Sequence, residues 1–321
     1  MPRHRHDLPQ LRPTLFLTDG GLETTLLFHD GLELPDFAAF TLLASPEQRE
    51  ALKRYFLSYI DLAQAHGIGL VLETPTWRAN PDWGWRLGYT LDALAQANQQ
   101  AVQLLAGLRP HLGPPEIPMV VSGCIGPRGD GYVADRAMSA QQARAYHHWQ
   151  IDVLARTDVD MLCAMTMTTA EEATGVVLAA RDEDMPVAIS FTVETDGALP
   201  SGQALGAAIE QIDQATGGHA AYFMINCAHP AHFEHTLTPG SPWLDRLRGI
   251  RANASQMSHA ELDAASELDD GDPVALGQAY ALLHERLPRF NVMGGCCGTD
   301  LRHVDQMARH CKPLFSRWID A

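Results

Sequence analysis

Leu15 to Leu26 reads LFLTDGGLETTL, a short apolar run that stops in an aspartate and two glycines. Such a run fits a strand buried on both faces, as strands of a parallel sheet are. If it opened a doubly wound sheet, the following turn should read GxGxxG, with an acidic residue after a second strand. TDGGLETTL (Thr18–Leu26) offers neither. A closed barrel is then the expectation, provided that enough similar runs follow.

Seven do. They are LVLETPT (Leu70–Thr76), MVVSGCIGP (Met119–Pro127), DMLCAMTM (Asp160–Met167) and PVAISFTVE (Pro186–Glu194), then AYFMINCAHP (Ala221–Pro230), GIRANAS (Gly249–Ser255) and FNVMGGCCG (Phe290–Gly298). Amphipathic segments such as PEQREALKRYFLSYIDLAQAHG and SAQQARAYHHWQIDVLARTD lie between them. Ser45 and Ser258 stand as helix N-caps, the second with Glu261 three residues on, as a capping box requires. Strands joined by crossover helices form parallel sheets. Eight such units in 321 residues predict one (β/α)₈ domain over residues 1–321, with its site at the C-terminal ends of the strands. The acidic piece ELDAASELDDGDP (Glu261–Pro273) reads as a solvated insertion.

Composition narrows the function. Apolar residues make up 46% and charged residues 19%, the balance of an ordinary globular enzyme. Thirty-nine acidic against 23 basic residues give a formal charge of −16, which argues against nucleic acid and anionic membrane surfaces. No apolar run is long enough to span a bilayer. The start, MPRHRHDLPQLRP, lacks the apolar core of a signal peptide, so a cytoplasmic protein is expected and the HRH tripeptide reads as solvated tail. Six cysteines are too few for a disulfide framework; they read as buried, catalytic or metal-bound.

Polar and sulfur residues recur where the strands end: Asp19, Glu73 and Thr74, Asn226 and Cys227, Cys296 and Cys297. The adjacent pair Cys296–Cys297 sits among glycines that would let the backbone pass close to an ion. Neighbouring thiols seldom bridge each other, and two thiolates on one soft metal are the more natural use. In a closed barrel the sixth and eighth strands have only one strand between them, so Cys227 can join the pair. Three sulfurs with a fourth position open suit a catalytic Zn²⁺. His229, His232 and His235, in CAHPAHFEH, offer a competing ligand set, although Pro230 should start a helix there. Cys124, Cys163 and Cys311 read as small core residues.

TDGGLETTL, INCAHP (Ile225–Pro230) and GGCCGT (Gly294–Thr299) together resemble the zinc-dependent homocysteine S-methyltransferase family, in order and in spacing, over nearly the whole chain. The resemblance implies a (β/α)₈ barrel with zinc held by Cys227, Cys296 and Cys297. It implies that Asp19 and Gly20 hold the amino-acid acceptor, with Thr74 and Glu73 as further substrate contacts from the second strand. No catalytic residue beyond the metal-bound set is implied. The partners would be a small-molecule thiol, homocysteine giving methionine, and a sulfonium or quaternary ammonium methyl donor of the S-methylmethionine, adenosylmethionine or betaine type. Chemically this is coherent: a free thiol titrates near pH 8.5, and coordination to Zn²⁺ deprotonates it.

One position departs from the family. Met165 stands where members commonly carry a glutamate for the acceptor's ammonium, while Thr166 is retained; either Glu73 or Glu194 replaces it from a neighbouring strand, or the acceptor is a thiol other than homocysteine. A cationic donor also wants aromatic faces, and WRANPDWGWRLGY (Trp77–Tyr89) offers Trp77, Trp83, Trp85 and Tyr89, either as such a cage or as packing over the rim. The rival reading is a zinc-binding or vicinal-dithiol redox protein on the same barrel, using Cys296 and Cys297 without methyl transfer. Barrels of this kind often self-associate, so a homo-oligomer is possible.

Overall fold

A computed structural model describes residues 1–113, 117–287 and 289–315. Eight parallel strands close on one another in chain order, β1 pairing with both β2 and β8. They are β1 (Phe16–Leu17), β2 (Gly69–Glu73), β3 (Met119–Ile125), β4 (Met161–Met167), β5 (Val187–Phe191), β6 (Tyr222–Asn226), β7 (Leu247–Ala252) and β8 (Val292–Gly295). Each falls within or across one of the eight apolar runs, so the (β/α)₈ barrel expected from the sequence is the fold.

The strands read as continuous apolar runs because alternate residues meet different partners. Leu70, Val121, Leu162 and Ile189 point outward into the shell between sheet and helices. Phe16, Val71, Val120, Met161, Tyr222 and Val292 point inward and fill the lower barrel. Higher up, the inward positions turn polar: Glu73, Ser122, Ser190, Asn226 and Arg251 are all buried. That change of character marks the end of the barrel where chemistry is placed.

The helix Pro46–His66 follows Ser45, whose hydroxyl makes no capping bond. The capping box of Ser258 and Glu261 is present, and a second one joins Ser139 and Gln142 before Ala140–Ala155. Most of the acidic insertion is exposed, yet the Ser255 hydroxyl donates to Asp269 at 2.6 Å and tethers it.

The N-terminal segment is not a solvated tail. Arg5 donates to the carbonyls of Ala155, Thr157 and Val159, and the backbone N–H groups of Arg3 and His4 donate to Asp160 at 2.6 and 2.9 Å. Leu8 then packs into the inner core from below. The reason is one of unpaired groups: carbonyls at the lower end of β4 and a wholly buried aspartate need donors, and the Arg-rich start supplies them. Among the described residues no helix is long and apolar enough to cross a membrane.

Candidate metal centre

Cys227 immediately follows β6, and Cys296 and Cys297 immediately follow β8. The ladder fixes both positions: Cys227 N–H donates to Arg251 O at 3.0 Å, and Cys296 N–H donates to Ala252 O at 2.8 Å. β7 therefore holds the two cysteine segments side by side. The sulfurs of Cys227, Cys296 and Cys297 all lie within 4.8 Å of one another. Cys227 and Cys296 are joined as a disulfide, with Cα atoms 5.3 Å apart, while Cys297 is a free thiol. The adjacent pair is thus not the bonded one, and the three-thiolate set exists in the reduced chain.

The glycines around these cysteines do something other than open space for an ion. They let two turns interlock. Gly295 N–H donates to Asp19 O and Gly21 N–H to Thr299 O, each at 2.9 Å. A Cβ on Gly20 would stand 2.6 Å from the Tyr59 hydroxyl, and one on Gly21 would overlap the Cys296 carbonyl. On Gly294 and Gly295 it would overlap the hydroxyls of Thr18 and Thr299. The motifs DGG and GGCCGT are one packed unit.

Arg251, an inward residue of β7, ties that unit together. It pairs with Asp19 at 2.7 Å and donates to the carbonyls of Gly20 and Gly295 at 3.1 and 3.0 Å. Tyr55 donates its hydroxyl to the other Asp19 oxygen at 3.1 Å. Burial disfavours the guanidinium charge, but Asp19 and Glu73 outweigh it and hold Arg251 protonated above its ordinary range. Glu73 is buried, and that burial pushes its carboxyl up to about 7; one of its oxygens has no hydrogen-bond partner among the described residues. Thr74 accepts from Cys124 N–H at 2.9 Å and lies 2.7 Å from the Thr76 hydroxyl. Since Thr76 donates to Cys124 O, the Thr74 proton is given to Thr76, which leaves a single lone pair for any ligand.

Asn226 organises the other side. Its amide oxygen accepts from Thr166 N–H and the Ser190 hydroxyl, and its nitrogen donates to the Thr166 hydroxyl and, at 3.2 Å, to Cys227 Sγ. Thr166 and Cys227 both have left-handed backbone, φ 62° and 54°. That conformation is strained in a non-glycine residue, and the Asn226 side chain bonds both of them. His259 Nε2 lies 2.6 Å from Cys227 O, and its ring packs on Tyr132. The Tyr132 hydroxyl is 3.8 Å from Cys297 Sγ.

The histidines that competed as ligands are engaged elsewhere. His229 caps its own short helix, and His232 and His235 bond the carbonyls of Gln256 and Asp196. Cys124, Cys163 and Cys311 are core residues. Met165 is buried within the barrel beside Cys163, and Glu194 sits at the rim, 3.6 Å from His259. The aromatic loop forms no open cage: the guanidinium of Arg78 lies between the rings of Trp77 and Trp83, Tyr89 packs on Phe40, and Trp85 is exposed. Arg251 is the residue that reading the sequence missed. Its only signal was a lone arginine inside the otherwise apolar run GIRANAS.

The barrel thus carries three converging cysteine sulfurs and a buried charged network at its C-terminal mouth, the end where barrels of this kind place their chemistry. Residues 16–311 match the family model for homocysteine S-methyltransferase, and the chain belongs to that family; it is a methyltransferase. Among solved structures it resembles the homocysteine methyltransferase MmuM from Escherichia coli. The oxidized form is 18% identical, with a TM-score of 0.74 over 94% of this chain and 97% of that one. The metallated form is 18% identical, with a TM-score of 0.71 over 95% and 98%. At that identity the likeness is one of fold.

Proposed function

We propose that the chain is a zinc-dependent S-methyltransferase that moves a methyl group from a sulfonium or quaternary ammonium donor to homocysteine, giving methionine. The observation that carries this reading is the convergence of Cys227, Cys296 and Cys297. Three cysteine sulfurs are a donor set that Zn²⁺ takes with one position left open, and Zn–S bonds of about 2.3 Å need sulfurs roughly 3.8 Å apart, a spacing the reduced cluster can reach. Zinc bound there would supply the Lewis acidity that keeps an acceptor thiol deprotonated at neutral pH.

The chain's own residues do the rest. Arg251 and Asp19 fix the two interlocked turns, so the sulfurs are held before any ligand arrives. Asn226 Nδ2, donating to Cys227 Sγ, stabilises a thiolate there. Gly20 contributes backbone at the acceptor's position, and Thr74 a single lone pair. Glu73 is the carboxylate that stands in for the glutamate absent at Met165, because it points into the barrel and has a buried oxygen without a hydrogen-bond partner among the described residues. The methyl carbon passes in line to the acceptor sulfur; its bond to the donor's sulfur or nitrogen breaks with the electron pair, and the donor leaves neutral.

Elemental analysis of protein purified under reducing conditions tests the reading. About one zinc per chain, lost in Cys227→Ala, Cys296→Ala and Cys297→Ala, is expected, together with methionine formation from homocysteine and one of S-methylmethionine, adenosylmethionine or betaine. A reduced chain that neither contains nor takes up zinc sinks it.

A further inference from the structure

Arg78 follows Trp77 in the loop after β2 and is only 6% exposed. Its guanidinium carbon lies 4.0 Å from the ring centre of Trp77 and 3.7 Å from that of Trp83. Two indoles thus clamp a flat cation. The edge of the fork is another matter. Nη1 donates to Gly129 O at 3.1 Å, which is its single hydrogen bond among the described residues, and the buried Nε has no acceptor among them. No carboxylate among the described residues forms an ion pair with it. Burial lowers its pKa to about 10, against the longer-range pull of Asp130 and other acidic groups, so the charge persists at neutral pH.

A buried, unpaired cation is costly unless something pairs with it. Its place indicates what. Trp77 donates its indole N–H to Met165 O at 3.4 Å, and its ring, with Thr166, closes on Gly131. Tyr132, the next residue, reaches Cys297 Sγ. Arg78 therefore belongs to the same mouth as the sulfur cluster. A guanidinium held rigid by stacking, with most of its donors unfilled, matches a carboxylate.

We infer that Arg78, clamped between Trp77 and Trp83, receives the α-carboxylate of the amino-acid substrate. The inference rests on the proposal that the chain methylates an amino-acid thiol, and it explains why the indole faces are closed to a cationic donor: their cation is built in.

Binding by the reduced full-length protein tests it, with methionine and methioninol as probes, measured by calorimetry. The two differ only in carboxylate against hydroxymethyl, and neither carries a thiol. The wild type should bind methionine about tenfold or more tightly over methioninol; Arg78→Gln should weaken methionine on the order of 10- to 100-fold and leave methioninol nearly unchanged, with Arg78→Lys between. A variant that merely loosened the loop would weaken both probes alike, and that result overturns the assignment. So does a wild type that binds both equally, a measurement that needs no variant to fold. If the wild type methylates homocysteine yet shows no such preference, Arg78 alone is wrong; if it binds neither probe, the amino-acid reading falls and this one with it. KM values in Arg78→Gln separate the sources: a rise for homocysteine places the acceptor's carboxylate there, and a rise for S-methylmethionine alone places the donor's.

Discussion

Arg251 on β7 and Asp19 after β1 form an ion pair at 2.7 Å with both side chains almost wholly buried. The pair lies between the two motif turns, and Arg251 also donates to the carbonyls of Gly20 and Gly295. A charge buried this deeply is tolerable only while every partner is present. Arg251→Ala should therefore destabilise the fold by about 3–5 kcal/mol, because it leaves Asp19 unpaired in the interior. Chemical denaturation measures this. A loss under about 1 kcal/mol would show that water enters and replaces the guanidinium.

Glu73 sets a pH dependence. Its pKa is about 7 in the folded chain, raised by burial, against 4.5 when exposed. The folded state thus keeps a proton that the unfolded state has already released. Stability from this group is complete below pH 4.5 and is lost as pH rises towards 7, by about 3 kcal/mol over the window. Comparing denaturation of the wild type and Glu73→Gln between pH 5 and 8 isolates the effect; the difference between them should grow with pH in favour of the variant.

Asn226→Asp keeps the shape and removes the amide donor to Cys227 Sγ. It also sets a carboxylate beside the thiolates. Metal affinity should fall on the order of 10- to 100-fold, read by competition with a chromophoric chelator. Unchanged affinity would mean that Asn226 serves only the left-handed backbone of Thr166 and Cys227.

With Cys227 and Cys296 bonded, two of the three proposed zinc ligands are withdrawn. Protein prepared without reductant should show four free thiols on denaturation, those of Cys124, Cys163, Cys297 and Cys311, and should take up little zinc. A phosphine reductant should restore six thiols and zinc uptake together. Zinc uptake by the four-thiol form would remove Cys227 and Cys296 from the site.

The eight strands were legible because a parallel strand buried on both faces must be apolar at nearly every position. β3 and β4 match their runs almost end to end. β1 shrinks to Phe16–Leu17, and the run continues into a turn whose Thr18 N–H and Asp19 O still bond the backbone of β8 at Met293 and Gly295. The cysteine triad was legible too, since a closed barrel leaves only β7 between β6 and β8. Local polarity misled at the N-terminus: HRH looked solvated, but its partners are backbone carbonyls and an aspartate 150 or more residues away.

By itself, then, the sequence determined the barrel and the three sulfurs, because burial pattern and residue chemistry are properties of short segments. Tertiary structure decided what the glycines are for, what Arg251 holds and where Arg78 lies. Those are questions of which atoms meet across the barrel mouth, and a lone arginine in an apolar run does not reveal whether a carboxylate from the far end of the chain will be within 3 Å of it.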